Sequence, residues 1–395
     1  MIKRPSYLEE LKKYINVPVV KILTGVRRCG KSTILSMFKE ELINNGIDSE
    51  HVIEINFASE KYSAFDSKLM YELLKNKIVD DKKYYLLLDE VQEIENWERV
   101  INSLLEENNN DIYITGSNSK LMSSEISTYL TGRYVSIPVY TLSFKDIYNS
   151  SNNTFDKKTL LDRYIRLGGF PIVNALNLNE DTAYQIIGGI YNSVVNEDIR
   201  KRHKINDEEL FSRVVKFVVE NVGKNFSANS ICNYLKSEKR NIRVENIYNY
   251  LEWLEKSFIV YRCPRYDLQG KEVLKTQEKF YLSDQSLKYS LLGFDPKSIA
   301  SMIENIVYLE LKRRGYNVYV GKMQTQEIDF VAIKREEKIY VQVCRQMPET
   351  SDREISNLLK IRDSYPKYVV TLDEYSTGNY EGIQIVTLTD FLLNK

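Results

Sequence analysis

Apolar residues over the first part of the chain come in two rhythms. Strand-like stretches at 17–24, 51–56, 84–88 and 111–116, of which 84–88 is an unbroken apolar run, alternate with stretches at 1–16, 31–45, 67–78 and 97–107 in which apolar residues return every three or four positions. A run that is apolar at every position needs cover on both faces, as a buried parallel strand does, whereas the 3.6-residue rhythm needs cover on one side only. The alternation therefore predicts an α/β fold, a parallel sheet flanked by helices, over about 1–141, with a further short strand (VSIPV) near its end.

The rhythm changes downstream. From 142 to about 206 it is helical, broken by a polar Ser/Asn-rich stretch at 149–154 and by Gly168-Gly169-Phe170-Pro171. This reads as a helical lid, in which Arg163 with Arg166, and Asp198 with Arg200, Lys201 and Arg202, either face the nucleotide or, the preferred reading, form solvated helix faces. Segment 207–284 has three helical stretches (208–221, 227–236, 244–256) followed by two strand-like runs around Gly270-Lys271, the outline of a winged helix, with Ser227 placed to cap the second helix. The remainder, 285–395, opens with a helix at 299–315 and continues with strand-like runs at 317–320, 327–333, 338–344 and 367–372, a small α/β domain.

Composition narrows the classes. A chain of 395 residues has room for two or three separate cores, and Lys plus Arg (55) balances Asp plus Glu (55). With no net charge, any nucleic-acid partner must be met by a local patch; 236–275 carries nine basic and six acidic residues, with Lys239, Arg240 and Arg243 ahead of the third helix. That patch is the candidate DNA or RNA contact, and a protein partner is the other reading of the same segment. Four dispersed cysteines and two histidines argue against a disulfide framework or a zinc site. The N-terminal residues have no signal-peptide apolar core and no run is long enough to cross a membrane, so the expectation is a cytoplasmic protein without a membrane partner.

The chemistry concentrates where the first strand ends. Gly25-Val26-Arg27-Arg28-Cys29-Gly30-Lys31-Ser32-Thr33 fits GxxxxGK[ST] between a strand and a helix, the context in which backbone N–H groups cradle a phosphate at the positive end of a helix. All nine are the expected nucleotide-binding residues. Lys31 adds charge for the β- and γ-phosphate oxygens, and the Ser32 hydroxyl suits Mg²⁺. The strand YYLLL ends in Asp89-Glu90 beside that loop, so Asp89 is the second Mg²⁺ residue and Glu90 the group that polarises the attacking water. The strand at 111–116 ends near Thr115, Ser117 and Asn118, candidates for sensing the γ-phosphate, with Asn118 carried as the catalytic one. Arg133 is the candidate for stabilising the transferring phosphoryl group, in cis or across a homo-oligomer interface, against a purely structural role.

With GVRRCGKST, YYLLLDEVQ, ITGSNSKL, YLTGRY, LSFKDIY, LGGFP, ENIVYLEL and EIDFV on the page, the chain resembles, over nearly its whole length, the prokaryotic AAA-type ATPases that carry a C-terminal domain of unknown function. The resemblance implies Walker A roles for Lys31 and Ser32, Walker B roles for Asp89 and Glu90, and the sensor for Asn118 or Ser117. The tail is similar to the restriction-endonuclease-like fold: Glu304 and Asp329 match its first two acids, while Gln342-Val343-Cys344 stands where its ExK would be. The expected function is an ATPase that works as a nucleotide-driven switch or motor on a protein or nucleic-acid partner. The alternatives are a nucleic-acid-binding protein or nuclease regulated by ATP, and a scaffold holding ATP as structural glue, against which Glu90 argues.

Overall fold

The computed structural model describes residues 2–107, 109–117, 130, 132–151, 155–238, 240, 242–270, 272–324, 326–347 and 353–394. They form two compact units, one of 1–139 with 256–258 and one of 140–255 with 259–395.

The first unit is built on five parallel strands: β1 (Val20–Thr24), β2 (Val52–Asn56), β3 (Tyr84–Asp89), β4 (Asn110–Gly116) and β5 (Tyr134–Pro138), in the order β2-β3-β4-β1-β5. Every residue of β1, β3 and β4 is buried, which is what the continuous apolar run of β3 requires. Among the described residues, four helices attend the sheet: α1 (Pro5–Lys12), α2 (Lys31–Asn44), α3 (Ser67–Lys77) and α4 (Trp97–Glu106). One core packs Trp97, Ile101 and Leu104 of α4 and Met70 and Leu74 of α3 with Leu86, Leu88, Ile112 and Ile114 of the strands. Each such side chain contributes about 1.5–3 kcal/mol of transfer free energy on full burial. On α2, Phe38 lies 4.8 Å from the Tyr113 ring.

One residue breaks the apolar rule of β1. Lys21 is fully buried, ion-paired with Asp111 of β4, donates to Val17 O at 2.8 Å and lies 5.0 Å over the Tyr113 ring. Asp111 also accepts from Asn16 N (2.8 Å) and the Tyr113 hydroxyl (3.2 Å). Burial pulls the Lys21 ammonium below its ordinary value and Asp111 opposes that shift.

The second unit carries eight strands: β6 (Val260–Asp267), β7 (Glu272–Leu282), β8 (Asn317–Met323), β9 (Gln326–Lys334), β10 (Glu337–Cys344), β11 (Lys367–Thr371), β12 (Gly378–Tyr380) and β13 (Ile383–Thr387). Their order is β12-β13-β11-β10-β9-β8-β6-β7, mixed in direction. The three helices expected at 208–256 form at Glu208–Glu220, Ala228–Ser237 and Val244–Lys256, and Ser227 caps the second in a capping box. The hairpin that follows them, β6 with β7, does not end as a free wing. β6 also pairs in parallel with β8, through Arg265 and Val320 among others, so one sheet runs across the expected boundary at 284. The helix Ile299–Arg313 is apolar on nearly every side because it is buried on nearly every side.

The Gly168-Gly169 pair has a steric reason. A Cβ on Gly168, whose φ is +69°, would meet the Asp284 carboxylate at 1.8 Å, and one on Gly169 would meet Leu142 O at 2.2 Å. Asp284 accepts from the backbone of Gly169 (2.8 Å) and Ser286 (3.0 Å). Among the described residues, no helix is long and apolar enough to cross a membrane.

Candidate functional site

The site begins where β1 stops. A Cβ on Gly25 would lie 2.1 Å from Val139 O, so only glycine lets the chain turn there. Arg28 adopts a left-handed backbone with φ +67°, and Gly30, at φ +105°, is the N-cap of α2. Lys31 therefore starts the helix, with its side chain folded back over the loop: Nζ donates to Gly25 O at 3.0 Å and Val26 O at 3.3 Å, and the residue is buried. Ser32 and Thr33 beside it are exposed.

β4 lies between β3 and β1, so its tip sits beside the two acids and next to the loop. Asp89 ends β3, 4% exposed; burial raises its carboxyl above the ordinary value, opposed by hydrogen bonds from the Thr115 and Ser32 hydroxyls and by the Lys31 charge. The Thr115 hydroxyl donates to Asp89 Oδ1 at 2.5 Å and accepts from Glu90 N at 3.0 Å. Glu90 itself has a left-handed backbone (φ +53°, ψ +46°), sparsely populated for a residue with a side chain, and its carboxylate accepts from the Gln92 side-chain amide. One hydroxyl thus holds the carboxylate of the first acid and the backbone of the second.

The remaining expected residues fall elsewhere. Ser117 is fully buried at the end of β4, and Asn118 lies outside the described residues. Arg133 precedes β5, where Tyr134 pairs with Val20 at the amino end of β1, so it is a strand length, roughly 17 Å, from the loop. Its guanidinium is bound to Asn102 Oδ1 (2.8 Å) and Glu106 Oε1 (3.3 Å) of α4. Cys29 is inside the loop but fully buried, and burial pushes its thiol up.

Arg4 is a contributor that the sequence reading missed. From the residue before α1 it reaches the loop with Nη1 on Cys29 O at 3.1 Å while its guanidinium covers the Tyr7 ring at 4.3 Å. A basic residue this far ahead of the loop carries no local signal.

Three of the four arginines in the patch at 236–275 are engaged. Arg240 binds Glu209 (2.9 Å), Arg262 binds Glu255 (3.1 Å) and Glu278 (2.9 Å), and Arg265 lies 3.6 Å from Glu327; Lys239 lies outside the described residues. In the tail, Asp329 and Glu304 do approach one another, with the Lys279 ammonium of β7 between them. Gln342 accepts from Asp329 N at 3.3 Å and donates to Glu354 at 3.0 Å.

The chain is similar to known proteins in sequence and in fold. Residues 18–148 match the family model described as AAA domain, and residues 158–298 match the model described as a domain of unknown function (DUF8612). A protein of Haemophilus influenzae is 37% identical over 398 residues, which cover 100% of this chain and 99% of that one. A protein of Methanocaldococcus jannaschii is 30% identical over 386 residues, 94% of this chain and 85% of its own. Among solved structures, the Walker-type ATPase PABY2304 of Pyrococcus abyssi matches in fold with a TM-score of 0.52 at 14% identity, over 74% of this chain and 96% of that one. The five-stranded parallel sheet with its phosphate loop is thus a P-loop ATPase fold, and the chain belongs to the family of AAA-domain proteins that carry this domain of unknown function in their C-terminal part.

Proposed function

We propose that the chain binds ATP with Mg²⁺ and hydrolyses it at the loop 25–33, and that the nucleotide cycle changes how the second unit presents itself to a protein or nucleic-acid partner in the cytoplasm. The observation that carries this reading is the Thr115 hydroxyl, which holds Asp89 and Glu90 in fixed register beside the loop. A protein that only bound nucleotide would not need the second acid ordered.

The donors suit the cation. A serine hydroxyl and a carboxylate are hard oxygen ligands of the kind Mg²⁺ selects, so Ser32 and Asp89 would hold it, and the ion would offset charge on the phosphate oxygens. Lys31 exchanges its bonds to the carbonyls of Gly25 and Val26 for phosphate oxygens, and the N–H groups of residues 25–33 wrap them. Glu90 accepts the proton of the attacking water. Asn118 is the γ-phosphate sensor. Arg133, held at the far end of β1 from its own loop, serves a neighbouring copy in a homo-oligomer.

In this reading 207–284 is a winged-helix-like module and the tail an endonuclease-like fold that does not cut. The test is ATP turnover measured with and without DNA or RNA. Turnover that needs Mg²⁺, falls strongly in Glu90→Gln and leaves ATP binding intact is the expected result; equal loss of ATP affinity in Glu90→Gln and Lys31→Ala overturns the division of labour. Cleavage of DNA with Mg²⁺ or Mn²⁺ that vanishes in Asp329→Ala but survives Lys31→Ala would overturn the reading of the tail.

A further inference from the structure

The second unit contains an ionic cluster in which three half-buried carboxylates surround a buried lysine from a separate element. Lys279 of β7 is 4% exposed, and its ammonium lies 2.8 Å from Glu327 Oε1, 3.1 Å from Glu304 Oε1 and 3.9 Å from Asp329 Oδ1. The Tyr281 hydroxyl donates to Glu304 Oε1 at 2.6 Å, Asn225 donates to Glu327 Oε2 at 2.7 Å, and Val343 N donates to Asp329 Oδ2 at 2.8 Å. Arg265 adds a second positive charge, 3.6 Å from Glu327.

Three carboxylates so close together repel one another, and each is expensive to bury without a counter-charge. A folded chain meets that cost by binding a cation from solution or by supplying one of its own. Here the ammonium stands at hydrogen-bond distance from two of the acids and within ion-pair reach of the third. Among the described residues no group of acids, cysteines or histidines is arranged to hold a metal ion. The titration directions agree with a cluster organised around the lysine: burial alone would raise Glu327, yet Lys279 and Asn225 hold it below its ordinary value, while burial and then the Glu304 charge lift Asp329 well above it.

We propose that the Lys279 ammonium is the resident cation of this cluster, taking the place of a divalent ion, so that the tail needs no metal. The ammonium is also spent. With three carboxylates around it, it has no free face to offer a phosphodiester, and the tail cannot use it as an electrophile. This goes beyond the ATPase reading and does not depend on it.

The experiment is a thermal melt of the full chain without nucleotide, in EDTA and with excess Mn²⁺ or Ca²⁺. Lys279→Met removes the ammonium that the three carboxylates share and is expected to lower Tm by roughly 10 °C in EDTA. Added divalent ion should restore several degrees of that loss by binding in the vacated place. The second variant, Lys279→Met with Asp329→Asn, should lose most of that recovery, and Lys279→Arg should stay insensitive to metal. If Lys279→Met folds only in the presence of a divalent ion, the proposal is supported; if metal neither rescues folding nor raises Tm, it is overturned. A wild-type Tm that rises with divalent ion, and no longer does so in Asp329→Asn, also overturns it, because the cluster would then bind metal with the lysine in place.

Discussion

Two groups of carboxylates in this protein are solved in opposite ways. Asp89 and Glu90 are neighbours in sequence at the end of one strand, held by a neutral hydroxyl and left next to an open loop. Glu304, Glu327 and Asp329 come from a helix and a strand and are closed around a cation from a third element. The first arrangement keeps its negative charge available to an incoming ion. The second consumes it internally. Acid clusters of similar composition therefore differ in use according to whether the chain itself brings the counter-charge.

The largest expected effect falls on the open site. Lys31→Ala should remove ATP binding or turnover, and Glu90→Gln should slow kcat by about a hundredfold or more with Mg-ATP affinity kept. Separate measurement of nucleotide affinity and single-turnover rate distinguishes the two. If both variants lose affinity alike, the contrast between an anchoring cation and a water-polarising acid fails.

Next in size is Thr115→Val, which keeps the shape and removes the hydroxyl. Both of its bonds go, so kcat should fall by roughly tenfold to a hundredfold, with stability lowered by about 1–3 kcal/mol for the buried groups left unpaired. A rate loss no larger than the stability loss explains would make Thr115 a packing residue.

Lys21→Met tests a closed pair inside the nucleotide unit. Leaving Asp111 buried without its ammonium should cost about 3–5 kcal/mol in denaturant unfolding. The phosphate loop lies at the other end of β1, so ATP affinity of the folded fraction should stay unchanged; a shift in affinity would show that the two ends of the strand are coupled.

The smallest effect is a rate of modification. Cys29 lies in the loop, which by position alone suggests protection by bound nucleotide. Because the thiol is fully buried and its ionisation suppressed, alkylation should be slow already, and saturating Mg-ATP should change it little. Rapid labelling without nucleotide that ATP blocks would mean that the loop opens in solution.

The nucleotide unit was legible in sequence because its signals are local. GxxxxGK[ST] states its own geometry, a run such as YYLLL has no stable place except between two layers, and Asp89-Glu90 follow from the strand's end. Arg4 and Lys279 were not legible, since each acts on residues far away in the chain and nothing next to them marks the partner. No basic group stands at Cys344, as the sequence states; the positive charge beside Glu304 and Asp329 comes from Lys279 of β7, on the other side of the expected boundary at 284. The two-stranded hairpin at 260–282 was read correctly as a hairpin, but the pairing of β6 with β8 depends on an edge whose partner starts some fifty residues later. Thr115 was noticed as a polar strand end without its double attachment, because a hydroxyl's partners are set by the neighbouring strand.

That double attachment has a mechanical consequence. The hydroxyl of Thr115 makes the tip of β4 and the two acids of β3 share one degree of freedom: β4 cannot be displaced along its axis without dragging the Asp89 carboxylate and tilting the peptide that aims Glu90. A shift of the β4 tip therefore alters the geometry of both acids at once.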